Sequence, residues 1–151
     1  MTLPAQVVSH VNTGELPLVY AGKVGVQVLR VSPETGAWVV RNRFKPGFEL
    51  PRHMHTGAVH AYTISGRWRY KEQEAVHVAG SFVFEPAGSF HTLQVPEDNT
   101  EETEIIFVLE GAYIEYGEDG AITGVVNGET ALRGYHALCD AEGIPRPDVL
   151  T

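Results

Sequence analysis

Three histidines stand in two short segments whose residue types suit a metal site. His53 and His55 are two positions apart in GFELPRHMH (47–55), and His91 ends EPAGSFH (85–91). Residues i and i+2 of an extended chain project from the same face, so the first two imidazoles should lie side by side. Neutral imidazoles in such a pair are natural ligands of one divalent cation. A pair of this kind also occurs among ordinary strand histidines, and we assign no role to the isolated His10, His77 and His136.

Glycine and proline residues flank the two segments, and their spacing favours a metal site over ordinary strand histidines. The first block is GFELPRHMHTGAVHAYTISG (47–66) and the second is GSFVFEPAGSFH (80–91). Together they resemble the paired motifs of the cupin superfamily, in which the first block supplies two histidines and a glutamate and the second supplies one more histidine. The resemblance implies a jelly-roll-like β-barrel that binds a metal through His53, His55 and His91.

The first block departs from the cupin pattern at the glutamate. With Gly66 aligned, that position is occupied by Val59, and its neighbour His60 should point to the opposite face of the strand. We therefore expect a ligand set of three histidines without a carboxylate. A β-bulge at Thr56–Gly57 would re-aim His60 and make it a fourth ligand, which is the alternative interpretation.

Three neutral ligands leave a divalent metal with a nominal charge of +2, whereas two histidines and a carboxylate leave +1. The higher charge attracts an anionic, chelating substrate such as an enolate more strongly, above all in a medium of low dielectric constant. With Zn²⁺ such a site would suit hydrolysis, since the metal lowers the pKa of its water. With Fe²⁺ it is similar to the facial triad of non-haem oxygenases.

A narrower resemblance favours iron. SPETGAW (32–38), HMHTG (53–57) and FEPAGSFH (84–91) resemble segments of three-histidine cupin dioxygenases, namely the 2,4'-dihydroxyacetophenone dioxygenase family and, more distantly, acetylacetone dioxygenase. The resemblance implies Fe²⁺, O₂ and a ketone substrate, with Zn²⁺, Ni²⁺ or Mn²⁺ as ions that a purified sample could also hold. It also implies a catalytic role close to the metal for Glu85, six positions before His91. The arginine and tyrosine that accompany this glutamate have no match, since Lys71 and Ala61 stand there.

The elements that must position these residues are mostly strands. Short runs rich in Val, Ile, Tyr, Phe and Thr alternate with Gly and Pro, which is typical of a β-sandwich or barrel. GEDGA (117–121) predicts a hairpin turn. NGETALRGYHALCDAEG (127–143) predicts a helix that begins after Asn127, ends at Gly143 and packs on the outside of the barrel, with Cys139 as a small apolar residue. The predicted strands cover 24–31, 36–44, 59–70, 75–85, 91–95, 104–116 and 121–126.

Length and composition bound the remaining possibilities. The 151 residues predict a single cupin domain over 1–151, with its metal-binding blocks within 47–91. The formal charge of -8 and only 11 Lys and Arg argue against nucleic acid. One cysteine, the lack of a basic and apolar leader, and the lack of an apolar run of about 20 residues indicate a cytoplasmic protein without a membrane segment.

We therefore expect an all-β cupin with a short C-terminal helix, forming a homodimer. Its activity would be Fe(II)-dependent cleavage by O₂ of a carbon-carbon bond next to a carbonyl, in an α-hydroxy ketone or diketone. The alternatives are a non-catalytic cupin module that binds a metal or small ligand, as a sensor or interaction domain, and a Zn²⁺ hydrolase or isomerase. Glu85 also has an alternative as a rim residue paired with Arg67 or Lys71. Candidate pocket residues are Trp38, Arg41, Arg43, Tyr62 and Gln94.

Overall fold

The computed structural model describes residues 7–151, which form twelve strands, one short 3-10 turn and one α-helix. The 3-10 turn is Thr13–Glu15 and the helix is α1, Gly128–Ala141. The strands are β1 Val19–Ala21, β2 Val24–Val31, β3 Ala37–Phe44, β4 Glu49–His55, β5 Val59–Ser65, β6 Arg67–Tyr70, β7 Val76–Val78, β8 Phe82–Glu85, β9 Phe90–Gln94, β10 Thr103–Glu110, β11 Ala112–Tyr116 and β12 Ile122–Asn127.

The strands form two antiparallel sheets of six. The first has the order β1-β2-β3-β10-β5-β8 and the second has the order β12-β11-β4-β9-β6-β7. The predicted all-β class with a C-terminal helix is confirmed. The two sheets are jelly-roll-like and do not close into a continuous barrel, so the fold differs from the barrel of the prediction in this respect.

Glycines divide three of the predicted strands into pairs. The runs 59–70, 75–85 and 104–116 each contain two strands, separated at Gly66, Gly80 and Gly111. All three glycines have positive φ, between 71° and 87°, a region that side chains with a Cβ rarely adopt. At Gly66 a Cβ would also lie 2.4 Å from Oγ1 of Thr103. Each strand therefore ends near the glycine, and at all three positions the chain passes into the other sheet.

The core lies between the sheets and follows the alternation of the strands. In β5, Val59, Ala61 and Thr63 are buried while the residues between them are exposed. The indole Nε1 of the buried Trp68 donates a hydrogen bond of 2.8 Å to Oγ1 of Thr63, so these two buried polar groups satisfy each other. Aliphatic and aromatic side chains from both sheets fill the remainder, including Phe44, Leu93, Ile105, Phe107 and Leu109.

The C-terminal helix begins as the sequence predicts. Asn127 accepts a hydrogen bond from the Thr130 amide, and Oγ1 of Thr130 accepts one from the Asn127 amide, each at 2.9 Å. Tyr135 and Cys139 are buried, and the Tyr135 hydroxyl donates to the Pro17 carbonyl at 2.5 Å. Within residues 7–151 no helix has the length and apolarity needed to cross a bilayer.

Candidate metal centre

Strand β4 holds His53 and His55 on the inner face of the second sheet. Both side chains are buried, and Met54 between them is half-buried on the other side. In the ladder, His91 of β9 lies directly opposite His53, and Tyr113 of β11 lies directly opposite His55. The alternation of side chains in β4 therefore places His53 and His55 on one face, and the pairing of β4 with β9 brings His91 next to them. Strand β4 itself was not among the predicted strands.

The loop before His91 is fixed to the backbone of His55. The Gly88 amide donates to the His55 carbonyl at 2.7 Å, and the His55 amide donates to the Ser89 carbonyl at 3.4 Å. Gly88 has φ 82°, which favours glycine at this turn. The Pro-Ala-Gly-Ser segment of the second block thus sets the position of the third histidine relative to the first two.

The three imidazoles converge on one point. One ring nitrogen from each of His53, His55 and His91 lies within 4.8 Å of the others. The Pro51 carbonyl lies 2.8 Å from Nδ1 of His53, and because a carbonyl only accepts, Nδ1 carries the proton. The lone pair of His53 is then on Nε2, which is the arrangement of a metal-ligating histidine oriented by a carbonyl.

The histidines of the cluster are held in their neutral form. Burial lowers the pKa of His53, and burial together with the neighbouring histidines lowers the pKa of His55 to about 3. Burial and His53 lower the pKa of His91 to about 4. At neutral pH each ring therefore offers a free lone pair, so a cation would not have to displace a proton.

Glu85 reaches the same point from the opposite sheet. It ends β8, is 4% exposed, and its Oε2 lies 3.1 Å from Nε2 of His55 and 3.5 Å from Nε2 of His91. Burial raises the pKa of Glu85 to about 8. The alternative of a rim residue paired with Arg67 does not describe this position, since Arg67 contacts Asp98 at 2.6 Å.

The donor set fits a divalent transition metal. Oε2 of Glu85 and Nε2 of His91 are buried and have no hydrogen-bond partner in the part of the chain that the structure describes. Unpartnered buried polar atoms are costly and call for an explanation such as an ion. Neutral imidazoles suit iron, zinc or nickel, whereas Ca²⁺ and Mg²⁺ prefer oxygen donors. His53, His55 and His91 are therefore the residues that could hold a metal.

His60 lies away from the cluster. It is exposed on the outer face of β5, where its ring centroid is 5.3 Å from that of Phe84 and 6.0 Å from that of Phe82. Strand β5 places Val59 on the inner face, as the alternation of side chains requires. The bulge considered at Thr56–Gly57 does not turn His60 toward the metal site.

An apolar cavity of about 270 Å³ adjoins the cluster. Glu85 and two of the histidines form its polar end, and apolar side chains from both sheets form its walls. The helix, which was predicted to pack on the outside of the barrel, also contributes side chains to the lining. The lining residues include Val26, Trp38, Phe44, Leu50, Leu109, Tyr113, Val126, Ala131, Tyr135 and Leu138.

Only one of the five candidate pocket residues lines this cavity, namely Trp38. Arg41 and Arg43 form ion pairs with Glu104, and Tyr62 is 51% exposed on the outer face. Gln94 borders a separate surface groove of about 500 Å³, which lies beside β6 and β9. That groove is larger but contains none of the three histidines, so we place the candidate site in the smaller cavity.

Two tyrosines of the site were not identified from the sequence. The ring of Tyr113 lies 5.4 Å from that of His53 and 5.6 Å from that of His55, and the ring of Tyr70 lies 4.2 Å from that of His91. Burial raises the pKa of Tyr113. Tyr113 follows Gly111, and the turn at that glycine was the signal that β11 starts a new strand in the sheet of β4.

Comparisons with known proteins show the family and the fold. The family model described as the ChrR cupin-like domain matches residues 6–114. A cupin-like protein of unknown function from Ralstonia eutropha JMP134 is 31% identical, with a TM-score of 0.88 over 100% of this chain and 96% of that one. No protein with curated annotation matches the chain.

Two further solved structures are similar in fold. An acetylacetone dioxygenase from Acinetobacter johnsonii is 17% identical, with a TM-score of 0.74 over 91% of this chain and 96% of that one. The Rhodobacter sphaeroides complex of SigE with the anti-sigma ChrR is 18% identical, with a TM-score of 0.50 over 60% of this chain and 45% of that one. The predicted cupin fold is confirmed.

Proposed function

This chain belongs to the ChrR cupin-like family, and we propose that it is an Fe²⁺-dependent dioxygenase that cleaves a carbon-carbon bond next to a carbonyl. The substrate would be an α-hydroxy ketone or a diketone. The observation that carries the proposal is the meeting of three neutral imidazoles with the unpartnered carboxylate of Glu85 at the end of an apolar cavity. An acidic residue beside a metal site suits a substrate that must lose a proton.

His53, His55 and His91 would hold the metal. Bound Fe²⁺ would supply the redox chemistry with O₂ that no amino acid side chain provides. The Pro51 carbonyl keeps the His53 ring in the tautomer that presents Nε2. Met54 and Phe90, the next pair of the same ladder, continue the register that fixes β4 against β9.

The cavity would bind the apolar part of the ketone. Its walls are mostly hydrocarbon; His53, His55 and Glu85 form the metal end, and Asn42 of β3 adds one polar group to the lining. Such a wall excludes water and orients a carbonyl toward the polar end. The volume of about 270 Å³ suits a small ketone, with aromatic side chains such as Trp38 and Tyr113 available to contact a ring.

Glu85 would accept the proton of the substrate at Oε2. The carbon-hydrogen bond next to the carbonyl breaks, its electron pair remains on the substrate as an enolate, and the proton moves to the carboxylate. Oε2 of Glu85 lies at the polar end of the cavity, 3.1 Å from Nε2 of His55 and 3.5 Å from Nε2 of His91, where the carbonyl end of a ketone would bind.

A second candidate is a metal-binding regulatory module. The family description names ChrR, and the similar Rhodobacter structure is an anti-sigma protein in complex with a sigma factor. Under this alternative, the site would hold Zn²⁺ and the chain would bind a protein partner without turnover. A Zn²⁺ hydrolase or isomerase is a third candidate for the same residues.

Oxygen uptake separates the first candidate from the others. We would load metal-free protein with Fe²⁺ or Zn²⁺ without oxygen, then screen α-hydroxy ketones and β-diketones at an oxygen electrode. We expect uptake only with Fe²⁺, and a loss of about a hundredfold or more in Glu85→Gln at matched iron content. His60→Ala, on the outer face, should keep the rate. Equal product formation with Zn²⁺, or none with any substrate class, would contradict the proposal.

We also infer a homodimer through the outer face of β5 and β8. Phe82, Phe84 and Tyr62 are 64%, 55% and 51% exposed there, and they are adjacent in the ladder. Their exposed parts amount to roughly 350 Å², taking about 200 Å² for a whole aromatic side chain. Standard interfaces bury about 800 Å² per partner, so this face could form the apolar centre of one. Because these residues carry no charge, two copies can meet despite the negative net charge.

A further inference from the structure

The cupin glutamate that the first block lacks has a counterpart on the neighbouring strand. Val59 occupies the glutamate position on β5, and the antiparallel register of β5 and β8 places Glu85 directly opposite it. Both side chains are buried on the inner face, at 0% and 4% exposure. Residues directly opposite in an antiparallel pair have Cβ atoms about 4.5–5.5 Å apart. A glutamate side chain can span that separation, so a carboxylate from either position can reach the same place between the sheets.

The distances at Glu85 are those between two ligands of the same cation. Donor atoms bound at about 2.0–2.2 Å from a metal, in tetrahedral or octahedral arrangement, lie about 3.0–3.5 Å from one another. Oε2 of Glu85 lies 3.1 Å from Nε2 of His55 and 3.5 Å from Nε2 of His91. The carboxylate oxygen is therefore as close to the two ring nitrogens as a shared cation would place it.

A direct interaction between Glu85 and the histidines explains these contacts less well. Neither contact has the geometry of a hydrogen bond, and both Oε2 of Glu85 and Nε2 of His91 are without a partner in the described residues. Three donors that face one another without bonding indicate a position between them for a cation.

We propose that Glu85 is a direct ligand of the metal, delivered from β8 in place of the glutamate that Val59 replaces on β5. This rests on the proposed metal site and changes one expectation from the sequence, in which the ligand set had no carboxylate. The nominal charge of the site with a divalent cation is then +1 instead of +2. It would also give Glu85 two successive roles, since a carboxylate that takes the substrate's proton becomes neutral and is then a weak metal ligand.

The test uses metal binding, not turnover. Metal-free protein is titrated without oxygen with Zn²⁺ for affinity and with Co²⁺ for its visible absorption, which reports the number and type of ligands. Glu85→Gln keeps the size of the side chain and removes its charge. We expect it to lower Zn²⁺ affinity by about 10–100-fold and to change the Co²⁺ band. A positioning role alone could weaken the affinity to this extent, but would leave the band as in the wild type.

Glu72 provides a matched control. Its carboxylate acts on His53 and His91 through charge, but it is exposed and accepts a hydrogen bond from the Thr92 amide. Glu72→Gln removes one negative charge near the cluster without removing a donor to the metal. We expect a small loss of affinity and an unchanged Co²⁺ band. A band in Glu85→Gln identical to the wild type, in protein shown by circular dichroism to be folded, would overturn the proposal.

A swap of the two positions gives a second, independent test. Glu85→Val should lose affinity and alter the Co²⁺ band, and adding Val59→Glu should restore both because the carboxylate returns from the opposite strand. If the double variant folds but recovers neither the affinity nor the Co²⁺ band, a carboxylate at position 59 does not replace the one at position 85, and the proposal is wrong. Both experiments are done without O₂ and measure metal binding alone. A negative result therefore does not test the proposed dioxygenase activity, and an inactive enzyme does not test the ligand assignment.

Discussion

Burial of Glu85 should make the metal-free protein less stable as the pH rises. Burial raises the pKa of this carboxyl from 4.5 to about 8 in the folded protein, whereas the unfolded chain ionises at the ordinary value. Between these two values the folded state binds more protons than the unfolded state. The stabilisation is therefore complete below about pH 4.5 and is lost as the pH approaches 8.

The clearest comparison is between the wild type and Glu85→Gln from pH 6.5 to 8. The histidines of the cluster have lowered pKa values, so the unfolded chain still takes up their protons around pH 6.5, and stability rises with pH there to the same extent in both proteins. Glu85 acts in the opposite direction in the wild type alone, and one proton corresponds to at most about 1.4 kcal/mol per pH unit. The free energy of unfolding of the wild type should thus fall by about 2 kcal/mol relative to Glu85→Gln across this range, or about 4–8 °C in Tm for a chain of this length.

Urea or thermal unfolding of chelator-treated protein measures this slope. Glu85→Gln is neutral at every pH and should lack the contribution of Glu85, whereas Glu72→Gln should keep it because the exposed carboxyl of Glu72 has a lowered pKa and is ionised throughout this pH range. Adding Zn²⁺ should abolish the fall, since a cation beside Glu85 favours its ionised form. Equal slopes in the wild type and Glu85→Gln would refute the claim that this carboxyl is buried and protonated in the metal-free protein.

Three further predictions concern the elements around the site. Asn127→Ala removes the acceptor that caps α1, and it should lower the free energy of unfolding by about 1 kcal/mol in denaturant titrations; Thr123→Ala on the neighbouring strand is a control without a cap to lose. Phe82→Glu with Phe84→Glu places charges on the exposed face of β8, so sedimentation should show a monomer that still binds metal; a dimer that survives would remove this face as the interface. Ala131→Phe adds a ring at the cavity wall, and it should raise KM for an aromatic ketone more than for a small diketone; an equal effect on both would place the ketone elsewhere.

The sequence could predict the parts of the site that depend on local geometry. His53 and His55 share a face because side chains alternate along any extended strand, and the cap at Asn127 follows from residue types within one turn. The position of His60 on the outer face follows from the same alternation next to Val59.

The remaining features depend on contacts between distant strands. Glu85 belongs to the first sheet and the histidines to the second, so its approach to His55 is set by how the two sheets pack. The same applies to Tyr113, which enters the site only because β11 pairs with β4. Arg41 and Arg43 were candidates for the pocket, but their pairing with Glu104 across β3 and β10 could not be read from spacing along the chain.

Elemental analysis of metal content after anaerobic loading tests the central claim most directly. We predict one equivalent of metal in the wild type and in His60→Ala, and almost none in folded His53→Ala, His55→Ala or His91→Ala, because only the last three contribute nitrogens to the cluster. The distinction between His60 and His91 is the decisive comparison. Metal-free His60→Ala beside fully loaded His91→Ala would contradict the ligand assignment on which the proposed function and the role of Glu85 depend.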